Sequence, residues 1–411
     1  MPASNTANTH NPGTGTSAAP GNGRRVAIVA CAQSTYEYPK DSSREMMVFD
    51  VVRELLLKAG ITRSEVDTVI SAQNDFMEGR TISNMRTVGP LGAYLKDESK
   101  VEMDGAWALL YAWARILSGN HDTALVAGES MASCYPSYLP ATWELDPTFD
   151  RPLGLLNEVS GAALQAAYYI RSGGASEEQI AGVAAKNLDN ASRNPRALRG
   201  MSGATAADVL SSRMLYSPIH ELEAFPFTDG CCALLLACEE KALQLTDRPV
   251  WLAGMGCSSD SYFLGDRDLA ACPSLEEAAA AAYRAAGITD PAKELDFCEL
   301  TERFAHEEPI FYEALGLCPK GKGGEFFAGG STAMEGSLPV NPSGGALGAD
   351  PVCATGLARV AEAALQLRGE AGEHQLPQAP STALAHGQDG LCAQHNIVFI
   401  LRSQQAEGVR T

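Results

Sequence analysis

The apolar and polar positions follow one script twice. Val26 to Ala30 in "RRVAIVACAQ" is a short apolar run with β-branched residues, which predicts a buried strand. In "EMMVFDVVRELLLKAG", Val48, Val51, Val52, Leu55 and Leu56 recur at helical spacing and Gly60 closes the helix. "SEVDTVISAQ" then predicts a second strand. The order returns as "RPVWLAGMGCSS" (strand), "SLEEAAAAAYRAAG" (helix) and "KELDFCEL" (strand). The helix ends share the letters "AGIT", at 59–62 and 286–289, an offset of 286 − 59 = 227 residues. We expect two halves with a common βαβ plan. In each half a nearly all-apolar helix then leads into a strand: "GAWALLYAWARILSG" before "DTALVAG", and "ATGLARVAEAALQLRG" before "STALAHG". A helix apolar on all sides is expected to be buried on all sides. The pattern therefore predicts a central helical layer between two sheets, with further helices outside.

An insertion at about 140–230 separates the halves. It is richer in Pro, Arg and Asn, and it contains the helical stretches "NEVSGAALQAAYYIRSG" and "SEEQIAGVAAKNLDNASRNP". The expected organisation is a tail over 1–24, a first half over 25–245 carrying the inserted lobe, and a second half over 246–411. The tail, "MPASNTANTHNPGTGTSAAPGNGR", is polar and of low complexity, so it is expected to be disordered. It lacks the charged start and apolar core of a signal peptide.

Charge narrows the partners. With 31 Lys and Arg against 50 Asp and Glu, the net charge is −19. So acidic a chain is ill suited to gripping nucleic acid or anionic lipid. No apolar run approaches the length of a membrane span. The 11 cysteines are scattered, with no CxxC pair or Cys/His spacing suited to zinc, so no metal site is expected. Many lie in apolar runs, which suggests buried thiols in a reducing cytoplasm.

Three stretches carry a family resemblance: "FTDGCCALLLACEEKA", "ELTERFA", and "NPSGGAL" followed by "DP" and "ATGLAR". They resemble the Asp-Gly-Ala-Ala strand entry, the Asn-Glu-Ala-Phe segment and the Gly-Gly…Gly-His-Pro loop of the thiolase superfamily. The likeness is closest to its sterol-carrier-protein-type group and spans about 25–402. It implies an α/β thiolase fold, five-layered αβαβα, built from two duplicated halves. It also implies a homodimer core, an acyl-CoA substrate, coenzyme A as co-substrate and no permanently bound cofactor. In this group a small partner subunit with a zinc ribbon and an OB-fold barrel often assists.

The matched positions depart from the usual chemistry. The place of the nucleophilic Cys falls on Glu102 in "KVEMDGAWALL", and that of the loop His on Asp350 in "GADP". The Asn of Asn-Glu-Ala-Phe falls on Thr301. The C-terminal proton-transfer residue falls at or beside His386 in "LAHGQDG", a residue type that titrates near neutral pH. Cys353, one turn from Asp350 at a helix start, is the best substitute thiol, ahead of Cys392 and Cys134. Gly344 and Gly345 in the Gly-rich bend, and Lys322 with Lys320 in "KGKGG", are candidates for holding coenzyme A. His306 could face the pocket, while His395 suits a structural role. Each acid has a plainer reading: Glu102 as a helix cap or a partner of Arg115, Asp350 as an Asx bond within the turn. The resulting expectation is CoA-dependent thiolysis of a bulky 3-oxoacyl-CoA in a catabolic pathway. The alternatives are a retro-aldolase on a 3-hydroxyacyl-CoA, or a non-catalytic acyl-CoA-binding subunit.

Overall fold

The computed structural model describes residues 24–78, 82–134, 145–155 and 157–403. The tail expected over 1–24 lies, apart from Arg24, outside them. In the first half the strands are β1 (Val26–Gln33), β2 (Thr68–Ala72), β3 (Asp97–Val101), β4 (Thr123–Met131) and β5 (Asp229–Cys238). In the second they are β6 (Val250–Ser259), β7 (Phe297–Glu299), β8 (Thr382–Asp389) and β9 (His395–Arg402). They form one ribbon in the order β3-β2-β4-β5-β1-β6-β9-β8-β7. A bridge from Val340 to Cys298 adds a further extended segment beside β7. Read outward from the centre, both sides run first, fifth, fourth, second, third. The pairing senses match too: β2 lies parallel to β4 as β7 does to β8, and β4 antiparallel to β5 as β8 does to β9. Among the described residues the two sheets join where Ala27 and Ile28 pair with Trp251 and Val250.

Period-2 alternation sorts each strand between two layers. On the first sheet Ala27, Val29, Leu125 and Leu235 face outward onto α1 (Arg44–Ala59), while Ile28, Val126, Leu234 and Leu236 face inward. The inward faces of both sheets enclose two helices, α2 (Gly105–Leu117) and α7 (Thr355–Arg368). On β8, Ala383 and Ala385 point inward, and Leu384 points outward onto α5 (Pro273–Ala286) and α6 (Glu307–Ala314). The layers are thus helix, sheet, helix, sheet, helix. The shared "AGIT" ends are matching αL caps, with Gly60 at φ 67° and Gly287 at φ 71°. Between β4 and β5 lie α3 (Glu158–Ser172), α4 (Glu177–Ala191) and a small hairpin of Met214–Tyr216 with Ile219–His220.

The central helices differ from expectation. All of α7 from Thr355 to Leu367 is buried, yet it carries polar residues whose partners travel with them. Arg359 contacts Glu299 (3.2 Å) and Ser343 (2.6 Å), and Glu362 is met by Gln33 and His374 (2.8 Å each). By contrast α2 buries only one stripe. Tyr111 and Ala114 are exposed, and Trp107, Leu110 and Trp113 are part-buried. The apolar letters on its far side are a surface of this chain, not core.

Candidate active site

The tips of α2 and α7 meet because two glycines permit it. A Cβ on Gly105 would lie 2.7 Å from the Leu357 Cβ, and one on Gly356 would lie 2.4 Å from Asp104 Oδ1. Asp104 caps both helices. Its Oδ1 accepts the Ala106 N–H (2.7 Å) at the start of α2, and its Oδ2 accepts the Gly356 N–H (2.9 Å) at the start of α7. Helix N-termini favour the anion, but burial dominates. It pushes the Asp104 carboxyl up to about 7, with the nearby charges of Asp389 and Asp350 acting in the same direction.

Beside this junction lies a cavity of about 30 Å³, enough for a water or a carbonyl group. Its polar wall joins Asp104 to Thr301, Arg303, Asp350, Gln388 and Asp389, with the Cys353 side of the turn before α7 completing it. Asp350 is buried. Its Oδ2 accepts from Arg303 Nε (2.9 Å), and its Oδ1 accepts from the Val352 N–H (3.1 Å) and the Thr355 hydroxyl. Arg303 donates from Nη1 to Glu158 at the start of α3 and lies 4.1 Å above the Phe225 ring. Two carboxylates hold its guanidinium firmly charged despite burial. Among the described residues, its Nη2 has no hydrogen-bond partner.

The second sheet supplies the opposite wall. The Thr301 hydroxyl donates to the His386 carbonyl (2.8 Å), so its proton is committed to β8 and its oxygen is left as an acceptor. Gln388 donates to the Thr301 carbonyl (2.6 Å) and to Glu307 (2.7 Å). Burial lifts the Glu307 carboxyl to about 7, against its hydrogen bonds from Gln388 and the Arg303 amide. Asp389 ends β8 on the inward-facing register. Among the described residues it accepts only from backbone N–H groups, Gly390 (2.7 Å) and Asp104 (3.2 Å), and burial raises its pKa.

The structure brings Asp350, Thr301 and Cys353 to this cavity and leaves the other candidates elsewhere. His386 does not reach it. Even-numbered β8 residues up to this point face the outer layer, where His386 Nε2 meets Asn396 (2.9 Å) and its ring packs edge-on against Phe311 at 4.9 Å. Burial pushes its imidazole down to about 4. Glu102 is two residues before the cap. Its half-exposed carboxylate accepts from the Asp75 N–H and pairs with Lys100 at 2.7 Å. Gly344 and Gly345 are left-handed at φ 97° and 63°, and they admit Ala191 and Glu302 against the backbone rather than lining the cavity. Lys322 is half-exposed and paired with Glu325 (2.5 Å), and Lys320 pairs with Glu276. His306 is buried on Gln165 (3.1 Å), and His395 meets Ser259 (2.7 Å). Cys392 is buried in the turn after Asp389, and Cys134 is exposed. Sequence reasoning missed Asp104, Arg303, Gln388 and Asp389. The cap rule before "GAWALL" signals the first, and inward parity counted from Ala383 signals the last.

Among the described residues no group of three His, Cys, Asp or Glu side chains could hold a metal ion, and no helix is long and apolar enough to cross a membrane.

This fold and cavity define a thiolase-type protein. Residues 256–403 match the family model described as thiolase C-terminal domain-like. An acetyl-CoA acetyltransferase of Methanothermobacter thermautotrophicus is 30% identical over 384 residues, 90% of this chain and 99% of that protein. Sterol carrier protein 2 of Oryctolagus cuniculus is 34% identical, over 51% of this chain and 39% of that protein. The solved structure of the Ltp2-ChsH2(DUF35) aldolase superposes with a TM-score of 0.81 at 21% identity, covering 93% of this chain and 98% of that one. The chain belongs to the thiolase family, in its sterol-carrier-protein-type group.

Proposed function

We propose that this protein performs the acyl-CoA carbon–carbon chemistry of its family by a retro-aldol route, cleaving a 3-hydroxyacyl-CoA without an acyl-enzyme. The observation that carries this reading is the cavity wall: carboxylates stand at the helix tips, with one guanidinium facing them. Asp389 accepts the proton of the β-hydroxyl. The Cα–Cβ bond breaks, the β-carbon leaves as an aldehyde or ketone, and the electron pair passes to Cα as a thioester enolate. Arg303 Nη2 faces the enolate oxygen. The proton then returns to Cα, giving a shortened acyl-CoA; no oxidant or further nucleophile is required. An aldolase among the fold's neighbours supports the reading. In the reverse direction the same groups form the bond.

A second reading, thiolysis of a 3-oxoacyl-CoA with coenzyme A as co-substrate, is favoured by one observation: Cys353 reaches the cavity at a helix start. The test is product analysis on matched 3-hydroxy and 3-oxo thioesters, with and without free coenzyme A. Carbonyl release from the hydroxy substrate alone supports the aldol route. Turnover only of the oxo substrate with coenzyme A, abolished in Cys353→Ala, overturns it.

The assembly we propose is a homodimer covering the outer face of α2 and the unpaired edge of β3, with a small zinc-ribbon/OB-fold subunit helping to receive the acyl chain. The two-component aldolase among the neighbours supports such a subunit. The acidic surface fits neither nucleic acid nor membrane as a partner.

A further inference from the structure

The wall of the cavity carries one cation among the described residues, Arg303, and that cation is already committed. Its Nε is bound by Asp350 and its Nη1 by Glu158, in pairs whose side chains are 17%, 1% and 12% exposed. The three charges sum to one negative. Asp104 and Asp389 stand on the same wall, and Glu307 lies one hydrogen bond behind Gln388. An incoming carboxylate would add a further negative charge to a buried site where burial already lifts the Asp104 and Glu307 carboxyls to about 7, and where two carboxylates share the Arg303 charge and leave only its Nη2 free.

Glu158 is set apart from the other acids. It is not on the wall, and it comes from a different element, the first residue of α3 in the inserted lobe. Asn157 caps that helix by accepting the Ser160 N–H at 3.0 Å, which fixes where Glu158 stands. Burial, with the charges of Asp350 and Asp389, raises the pKa of its carboxyl, while the helix N-terminus and the Arg303 guanidinium act the other way and favour the anion. Behind Arg303, the Phe225 ring closes off movement of the guanidinium.

We propose that Glu158 is a specificity-determining residue: by holding Arg303 neutralised, it restricts the site to acyl groups that are uncharged near the reacting carbons and rejects those bearing a carboxylate. This rests on the reading that the cavity receives an acyl-CoA, but not on which bond is broken. Glu158→Gln keeps an acceptor for Nη1 and removes the charge. The cluster then sums to zero rather than to one negative, and the Nη1 side of Arg303 faces a neutral amide, so a substrate carboxylate can share the guanidinium with Asp350 alone.

The test uses unreactive thioether analogues of acyl-CoA, one with a hydrocarbon tail and one of equal length ending in a carboxylate, titrated calorimetrically into the full chain. The wild type binds the uncharged analogue at least about tenfold more tightly. Glu158→Gln shrinks that ratio about five- to tenfold, with affinity for the uncharged analogue changed less than about twofold, and Glu158→Asp restores the ratio. Equal affinities in the wild type overturn the proposal, as does an unchanged ratio in Glu158→Gln. The wild-type ratio can overturn the proposal without any variant, and Glu158→Ala, expected to shrink the ratio in the same way, replaces Glu158→Gln if that variant fails to fold. Binding of neither analogue overturns this proposal and the acyl-CoA reading together. An intact binding ratio without turnover of any thioester sinks only the reaction.

Discussion

The central helices α2 and α7 occupy matching places in the two halves, yet one is sealed and the other is half open. Every residue of α7 from Thr355 to Leu367 is buried, and its charges are matched inside the core. α2 packs one stripe against the sheets and turns Tyr111 and Ala114 outward. The same strand order therefore supports two kinds of helix: α7 is a fixed post, whereas α2 is a face that a second protein can complete. The cavity lies where their N-termini converge, and most of its polar wall comes from the half that owns the sealed helix.

The largest expected effect separates the two registers of β8, the strand that lines both. Asp389→Asn removes the acid from the inward register and should lower turnover by about 10² to 10⁴. His386→Ala, on the outward register, should leave kcat within a few-fold while lowering the melting temperature, because it empties a packed site against Phe311 and Asn396. Equal losses of activity in both variants, at matched stability, would break the assignment of sides.

Charge removal on the two helices sharpens their contrast. Arg359→Met on α7 leaves Glu299 buried beside Ser343 without its cation, and breaking such a pair costs about 3–5 kcal/mol. Arg115→Met on α2 loses a pair with the half-exposed Asp97 and hydrogen bonds to Thr68 and Ser99, but leaves no carboxylate buried without a cation, so its cost should be smaller, about 1–2 kcal/mol. Denaturant titration reads both. Similar midpoints would mean that the helices are not differently built.

The acids on the two helices should also respond oppositely to pH. Asp104, with a folded pKa near 7, binds its proton more tightly in the folded state than unfolded. Its contribution to stability is fully present below the ordinary aspartate range and is lost as pH rises through about 7. From the two pKa values the loss is at most about 4 kcal/mol. For Glu362 burial pushes upward, but the hydrogen bond from His374 and the charges of His374, Arg196 and Arg359 outweigh it, leaving the pKa lowered. Its contribution is present above the ordinary glutamate range and is lost as pH falls through the folded value. Melting curves from about pH 2 to 8 should therefore show a flatter decline toward neutrality in Asp104→Asn, and a flatter decline below the ordinary glutamate range in Glu362→Gln. A slope unchanged by Asp104→Asn would mean that Asp104 titrates as it does in the unfolded chain.

The fold was legible because its signals are periodic. The repeated strand–helix–strand script, the duplicated "AGIT" caps and the two apolar helices are backbone-scale patterns, and the layers follow from them. The candidate cavity was legible only where a loop motif pinned the position, as at Asp350, Thr301 and Cys353. His386 and Glu102 lie away from it because side-chain direction changes within a residue or two along a strand or into a helix. Along "HGQD" the chain passes from His386 in the outer layer to Gln388 and Asp389 on the cavity wall, and Asp104 rather than Glu102 is the residue that turns into the helix. Arg303 was illegible for another reason: its partners are 145 and 47 residues away, at Glu158 and Asp350, and no local pattern links them. The apolar letters of α2 misled because an apolar helix face at the surface and one in a core look alike in one sequence.

That ambiguity gives the smallest stability effect and a clean readout. Ala114 lies on the exposed side of α2, flanked by part-buried Trp113 and near Tyr111 and Leu110. Glu is a good helix former, so Ala114→Glu should change the stability of a single chain by no more than about 0.5 kcal/mol. In a homodimer closed over this face, the same carboxylate is buried without a partner and faces its own copy across the two-fold axis. Sedimentation should then show a dimer for the wild type and a monomer for Ala114→Glu, with unchanged melting at low protein concentration. A wild-type monomer, or a dimer that survives the substitution, would mean that α2 turns its aromatic side to something other than a second copy of this chain.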